Sequence, residues 1–150
     1  LEPFRIKGPK QDPTPLPYLQ QKGKHAFDIN LTVEIKPENA ESTVVCHSNF
    51  KYMYWSMSQQ LAHHTSNGCR VNSGDMMGSG TISGPTPDSF GSMLELTWGG
   101  KNPIKLNDGT ERKFINDNDT VIMKGFCKNA DVRIGFGEVS SKLLPPFVRS

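Results

Sequence analysis

The alternation of apolar and polar residues from position 27 to 35 constrains the fold of this chain more than any other stretch. The apolar positions are Phe27, Ile29, Leu31, Val33 and Ile35. A period of two is typical of a β-strand with one buried face and one face toward water. Lys36-Pro37 ends the strand, because proline lacks the N–H that a sheet ladder requires. The pattern predicts a half-buried strand whose hairpin partner is residues 43–46.

The remaining chain is dominated by strand and turn patterns. Residues 120–126 and 133–139 predict two strands that pair across residues 128–131. Asn, Asp and Gly tolerate left-handed backbone conformations, so three segments predict hairpin turns. These segments are Gly99-Gly100, Asn107-Asp108-Gly109 and Asn116-Asp117-Asn118-Asp119. Residues 1–20 hold five of the 11 prolines and predict an extended, irregular segment.

One helix is predicted, over residues 49–65. Ser48 is its expected N-cap, and Asn67-Gly68 ends it. An apolar stripe at helical spacing is expected to lie on the sheet, and it consists of Phe50, Met53, Tyr54, Met57 and Leu61. The expected fold class is therefore β-rich α+β with one main helix.

The size and charge of the chain narrow its organisation and its partners. A length of 150 residues fits one domain, residues 1–150, that includes the proline-rich segment 1–20. The 17 basic and 15 acidic residues are scattered, so no footprint for nucleic acid or an anionic membrane is expected, and small molecules or proteins remain as partners. No signal region and no long apolar span is evident, which favours the cytosol. The chain opens on Leu1 rather than Met, which favours a processed product or a piece of a longer protein.

A complete metal site is not expected from the sequence. The three cysteines are far apart and form no Cys-x-x-Cys pair, which argues against a zinc site and a disulfide framework. His63 and His64 are adjacent, so on a helix they point about 100° apart and cannot chelate one ion together. Capping of the last helical turn is their expected role. Residues 117–119 lack the glycine and distal glutamate of a calcium loop and are interpreted as a turn.

Glycines at positions 74, 78, 80, 84 and 91 make residues 74–98 a candidate site. Their spacing misses the dinucleotide fingerprint, and no lysine follows as in a P-loop. Two interpretations stay open: tight turns of a β protein, or backbone that a ligand approaches closely. The hydroxyl of Thr81, next to Gly80, is a natural donor to a carboxylate or carbonyl oxygen. Asp75 is interpreted as a turn former.

Glu95 is the second candidate site residue. It stands in a predicted strand in which Met93, Glu95 and Thr97 share one face, so its carboxylate is expected to line a polar surface or cavity. It could be a buried acid paired with a structural base. It could instead orient a catalytic histidine in one tautomer.

Several segments resemble the C-terminal portion of the fumarylacetoacetase, or fumarylacetoacetate hydrolase, family. They include Ser48-Asn49-Phe50-Lys51-Tyr52-Met53-Tyr54-Trp55, Ser79-Gly80-Thr81-Ile82-Ser83-Gly84-Pro85 and Phe90-Gly91-Ser92-Met93-Leu94-Glu95-Leu96. The shorter pattern of Gly74-Asp75 followed by Gly80-Thr81 is similar to the broader hydrolase superfamily. Further matching segments extend the resemblance over almost the whole chain.

This resemblance implies that the β-rich α+β fold is an incomplete mixed β-sandwich or roll. It also implies a function and roles for the two candidate residues. The implied reaction is carbon–carbon bond hydrolysis of fumarylacetoacetate to fumarate and acetoacetate, in tyrosine and phenylalanine catabolism, by a cytosolic homodimer. In the family, calcium or magnesium binds the substrate oxygens, a histidine activates water, and a glutamate orients that histidine. Glu95 matches the orienting glutamate, and Thr81 matches a substrate-contacting threonine.

The resemblance also implies that the site is incomplete in this chain. The family's catalytic histidine, its metal-binding carboxylates and its Lys, Arg and Gln substrate contacts lie upstream of the region matched here. The chain is therefore expected to be about the last third of the enzyme, and to be inactive in isolation. The alternative is a non-catalytic structural or dimerisation module.

Overall fold

A four-stranded antiparallel sheet lies at the centre of the computed structural model, which describes residues 1–147. In chain order the elements are β1 (Arg5–Ile6), β2 (Ala26–Phe27), β3 (Asn30–Lys36), β4 (Thr43–Asn49), α1 (Met57–Thr65), α2 (Met93–Leu96), β5 (Ile104–Lys105), β6 (Glu111–Arg112), β7 (Thr120–Lys128) and β8 (Arg133–Lys142). Single 3-10 turns lie at Glu2–Phe4, Pro17–Leu19, Phe50–Tyr52 and Pro87–Ser89. Among the described residues strands outnumber helices, as a β-rich α+β fold requires.

The central sheet has the order β4-β3-β7-β8, with every neighbouring pair antiparallel. The hairpin predicted from the alternating segment is confirmed, since β3 pairs with β4 from Asn30↔Asn49 to Ile35↔Thr43. Phe27 lies outside β3, in the short strand β2 that pairs with β1. The interruption falls at Asp28, whose N–H donates to the Phe4 carbonyl at 3.0 Å instead of joining the central ladder.

The pairing of β7 with β8 is also confirmed, and both strands are longer than predicted. Of the predicted hairpin turns, Asn107-Asp108-Gly109 joins the paired strands β5 and β6. The other two are turns but not hairpins: Gly99-Gly100 follows α2, and residues 116–119 connect β6 to β7, which do not pair. Glycine and asparagine marked these turns correctly, because Gly99, Gly100 and Asn118 all have positive φ.

The predicted helix over residues 49–65 is wrong in its first half. Ser48 belongs to β4, and the Asn49 side chain instead caps the 3-10 turn Phe50–Tyr52. The helix α1 begins only after Ser56, whose Oγ accepts from the Gln59 N–H at 3.2 Å, while Gln59 Oε1 accepts from the Ser56 N–H at 2.9 Å. This reciprocal capping box sets the start of the helix.

The apolar stripe of this region does not lie on the sheet, contrary to the prediction. The helix α1 packs against the turn Pro17–Leu19, where Gln59 Nε2 donates to the Leu19 carbonyl at 2.7 Å. Met57 and Leu61 are 42% and 41% exposed. The histidines do fall in the last turn as predicted. No helix within residues 1–147 combines the length and the apolar character needed to cross a bilayer.

The core joins the first strands to the sheet. Phe4, Ile29 and Cys127 are buried together, and Phe27, Leu31 and Phe50 pack on them. On the polar face of the sheet, Glu34 of β3 accepts from Lys124 Nζ of β7 at 2.7 Å. The opposite face of β3 and β4 lies behind residues 81–96, the segment that carries the candidate site residues: Ser48 of β4 bonds to Ile82, and Cys46 of β4 lines a cavity together with Met93.

Candidate active site

Two short segments, residues 81–84 and 90–96, form one wall of the candidate site. The buried Ser48 of β4 donates through Oγ to the Ile82 carbonyl at 2.8 Å and so attaches the first segment to the sheet. The Gly91 N–H donates to Ser83 Oγ at 3.1 Å and joins the second segment to the first. A Cβ on Gly91 would lie 2.6 Å from the Ile82 oxygen, so only glycine permits this approach.

Glu95 lies in the four-residue helix α2, not in the strand that the alternation predicted. Ser92 is the N-cap and accepts from the Glu95 N–H at 3.3 Å. The sequence did contain a signal for this helix, because Ser92-Met93-Leu94-Glu95 has the Ser-x-x-Glu spacing of a capping box. The alternating pattern was too short to outweigh it.

The Glu95 carboxylate is half-buried and is held by two serine hydroxyls. Ser83 Oγ donates to it, 2.9 Å from Oε1 and 2.8 Å from Oε2. Ser92 Oγ lies 2.8 Å from Oε2. No Lys, Arg or His within residues 1–147 forms a salt bridge with this carboxylate, which gives no support to the structural-base interpretation. Sequence reasoning did not identify Ser83, which is 12 residues away in the chain.

Thr81 and Glu95 line the same cavity, of about 530 Å³, which we call the Glu95 cavity. Its lining residues are Tyr52, Met53, Tyr54, Trp55, Thr81, Ile82, Ser83, Ser92, Leu94 and Glu95. Glu95 is the only Asp, Glu, Lys, Arg or His in this set. The structure thus brings together the two candidate residues beside aromatic rings that could pack on an organic acid.

The thiol nearest this region is not a nucleophile candidate. Cys46 of β4 is 3% exposed and lies behind the segment that carries Glu95. Burial, reinforced by the negative charges of Asp88 and Glu95, raises the pKa of the Cys46 thiol. A raised pKa keeps the thiol protonated near neutral pH, so it acts as a small apolar core residue.

The glycines of the segment serve two different purposes. Gly74 and Gly80 have φ of 97° and 79°, which favours glycine. Gly84 and Gly91 instead allow close approach: a Cβ on Gly84 would lie 2.5 Å from Ser89 Oγ. Asp75 forms the predicted turn, since its carboxylate accepts from the Asn72 N–H at 2.8 Å.

A metal ion does not fit the described residues. Within residues 1–147 no three His, Cys, Asp or Glu side chains cluster as potential ligands. Asp119, in the acidic turn, is committed elsewhere: its carboxylate accepts from Arg112 Nε and Nη2 at 2.8 and 2.9 Å. This contact holds the pKa of Asp119 below its usual range. His63 contacts the Tyr18 hydroxyl at 3.1 Å, and no histidine is among the residues that line the Glu95 cavity.

Comparison with known proteins shows to which family this chain belongs. The model for the C-terminal region of fumarylacetoacetate (FAA) hydrolase matches residues 11–143. The chain belongs to this family. It is 53% identical to fumarylacetoacetase of Homo sapiens over 151 aligned residues, which cover 100% of this chain and 36% of the human protein.

Other members of the fumarylacetoacetate hydrolase family show the same relation to this chain. Fumarylacetoacetase of Dictyostelium discoideum is 54% identical over 97% of the chain, and that of Arabidopsis thaliana is 51% identical over 97%. The chain covers 35% and 34% of these two proteins. It therefore spans about a third of the length of its curated relatives.

Proposed function

We propose that this chain supplies part of the active site of a fumarylacetoacetate hydrolase, an enzyme that cleaves a carbon–carbon bond to release fumarate and acetoacetate in tyrosine and phenylalanine catabolism. One observation carries the proposal. The residues that the resemblance assigns to the water relay and to the substrate, Glu95 and Thr81, line one cavity. The family membership and the relatives' names support the substrate.

The chemistry explains why an acid and a hydroxyl would be needed there. Water must add to a carbonyl, and the acetoacetate carbanion then leaves as an enolate stabilised by fixed donors. The Glu95 carboxylate would orient a histidine and stabilise the imidazolium that forms when the histidine takes a proton from water. The Thr81 hydroxyl would donate to a substrate oxygen.

The remaining groups would come from sequence that corresponds to the upstream two-thirds of the relatives. These are the catalytic histidine, the Lys, Arg and Gln substrate contacts, and the carboxylates for calcium or magnesium. Residues 1–147 do not offer a set of ligands for that ion. Completion of a mixed β-sandwich or roll, assembly as a homodimer and location in the cytosol belong to the same proposal and rest on the resemblance.

A non-catalytic structural or dimerisation module is the second candidate. One feature favours it: the neighbouring strands β7 and β8 expose large apolar side chains. Met123 of β7 is 50% exposed, and Phe136 and Val139 of β8 are 52% and 62% exposed. Such a surface is suited to association with another protein surface.

A chimera separates the two candidates. Residues 1–150 replace the matched C-terminal region of human fumarylacetoacetase, and turnover of fumarylacetoacetate is measured for the chimera, the human enzyme and the isolated chain. We expect the chimera to hydrolyse the substrate and the isolated chain to be inactive. Turnover by the isolated chain would contradict the shared site, and a folded but inactive chimera would favour the structural module.

A further inference from the structure

Ser83 stands out among the residues of the Glu95 cavity because its hydroxyl reaches both oxygens of the candidate catalytic carboxylate, at 2.9 and 2.8 Å. We infer that Ser83 is a positioning residue, which fixes the Glu95 carboxylate in the orientation that the histidine of the water relay requires. The inference rests on the proposed function and adds a residue to it.

The Ser83 hydroxyl is itself held in place by the backbone. Its oxygen accepts from the Gly91 N–H at 3.1 Å, so its single proton is free to point at Glu95. The preceding carbonyl, of Ile82, accepts from the buried Ser48 hydroxyl at 2.8 Å. Ser83 is therefore attached both to the central sheet and to the segment that leads into α2.

Ser83 differs in this respect from Ser92, the other hydroxyl on Glu95. Ser92 Oγ accepts from the Glu95 N–H at 3.3 Å as the N-cap of α2, so the helix already requires it. No helix or strand requires Ser83, which lies between elements. Its hydroxyl joins the two segments that form the cavity wall, and its described contacts through Oγ are with the Gly91 N–H and the Glu95 carboxylate.

The two serines also distinguish the oxygens of Glu95. The one proton of the Ser83 hydroxyl is shared between Oε1 and Oε2, whereas Ser92 donates to Oε2 alone, so among the described residues Oε2 is the more heavily engaged oxygen. A carboxylate oxygen can accept about two hydrogen bonds, so Oε1 retains more capacity for an imidazole N–H. We assign the contact with the histidine to Oε1.

Removing the Ser83 hydroxyl should impair the chemical step more than substrate binding. A hydrogen bond to a charged group is strong enough for its loss to correspond to about a 10- to 100-fold change. Because Glu95 would act through the histidine and not on the substrate, the loss should appear in kcat, with KM within about twofold of the parent value.

The test uses the active chimera and the variants Ser83→Ala, Ser83→Thr, Glu95→Gln and the double variant Ser83→Ala/Glu95→Gln. We expect Ser83→Ala to lower kcat about 10- to 100-fold and Ser83→Thr, which keeps the hydroxyl, to recover most of it. In the Glu95→Gln background, Ser83→Ala should change kcat by less than about twofold, because the carboxylate it positions is already gone. If the role of Ser83 were purely structural, Ser83→Ala would lower kcat by a similar factor with and without the Glu95 carboxylate.

Ser42→Ala is the matched control, since Ser42 Oγ donates to Glu34 Oε2 at 2.6 Å, outside the cavity. It should leave kcat within about twofold of the parent. An unchanged kcat in Ser83→Ala, or an equal loss in both backgrounds, would overturn the role of Ser83 alone. An inactive but folded parent chimera would overturn the proposed function and this inference with it. If Ser83→Ala does not fold, Ser83→Cys is used in its place. We expect Ser83→Cys to lower kcat by a smaller factor, and to leave kcat unchanged in the Glu95→Gln background.

Discussion

Replacement of Gly91 by alanine should destabilise the protein by forcing apart the two segments of the cavity wall. The new Cβ would lie 2.6 Å from the Ile82 oxygen, 2.8 Å from Thr81 Cγ2 and 3.0 Å from the Ile82 carbonyl carbon. Gly91 does not have a positive φ, so the effect would be steric and not one of backbone strain.

The size of the effect follows from what must move. Relieving the closest contact, from 2.6 Å to the 3.4 Å at which ordinary contact begins, requires a shift of about 0.8 Å. Overpacking of this kind typically costs about 1–3 kcal/mol. The Ile82 oxygen is also the acceptor for the Ser48 hydroxyl at 2.8 Å, and disturbing that hydrogen bond adds about 1 kcal/mol. Together these give about 2–4 kcal/mol of lost unfolding free energy.

Urea unfolding of the 150-residue chain, followed by the fluorescence of its two tryptophans, measures this loss. With a slope of about 2 kcal/mol per molar urea, the midpoint should fall by about 1–2 M. Gly78→Ala is the matched control, because a Cβ there would meet nothing within 4 Å and its φ is not positive. It should leave the midpoint unchanged or slightly raised. Equal midpoints for the two variants would refute the reasoning.

Three further predictions concern single side chains. In the chimera, Glu95→Gln should lower kcat by about 10³- to 10⁴-fold, and an unchanged rate would exclude an orienting role. Thr81→Val should mainly raise KM. If both kcat and KM are unaltered, the Thr81 hydroxyl has no role in substrate binding. Arg112→Ala should lower the unfolding free energy measured in urea by about 3–5 kcal/mol, because it leaves the Asp119 carboxylate, which is 1% exposed, without its cation. Arg5→Ala is the control: it removes an exposed salt bridge and should shift the urea midpoint little. Arg112 lowers the pKa of Asp119 in the folded protein. The parent should therefore lose the stability that this pair contributes as the pH falls from about 4, the unfolded-state pKa of an aspartate, through the lower pKa of Asp119 in the folded state. Arg112→Ala should lose less stability over that range, and parallel curves of stability against pH would contradict the assignment.

The strands were predictable from the sequence, because their pattern and their turns agree. Residues 30–36 alternate and end at a proline, and β7 and β8 flank a polar turn in which the Asn129 N–H donates to the Val132 carbonyl at 3.0 Å. The first half of the helix was not predictable from its apolar spacing. Its stripe fits a helix, but Met53 is extended, with φ of −62° and ψ of 125°, so the stripe is divided between a 3-10 turn and α1.

The candidate site was predictable only in part, for a reason that lies in its contacts. Glu95 and Thr81 could be named from local sequence, whereas the link between them depends on Ser83 and on the close approach of Gly91 to Ile82. Neither contact leaves a periodic signal, because each joins segments that are not paired strands. A Ser-x-x-Glu spacing does predict the bond from the Glu95 N–H to Ser92 Oγ, but it does not predict the hydrogen bonds from the serine hydroxyls to the carboxylate.

The two serines therefore act on Glu95 in different ways, and the difference bears on how this site tolerates change. Ser92 holds the carboxylate by a local contact, made by the same hydroxyl that caps α2. Ser83 holds it by a contact between two segments, the first of which is attached to the sheet through Ser48. A disturbance of the sheet edge should thus reach the carboxylate through Ser83 while leaving the helix cap intact. Ser48 does not itself line the cavity, but it bonds to Ile82, which does. On this reasoning Ser48→Ala should lower the chimera's kcat in the same direction as Ser83→Ala, and an unchanged kcat would show that the Ile82 attachment does not position Glu95.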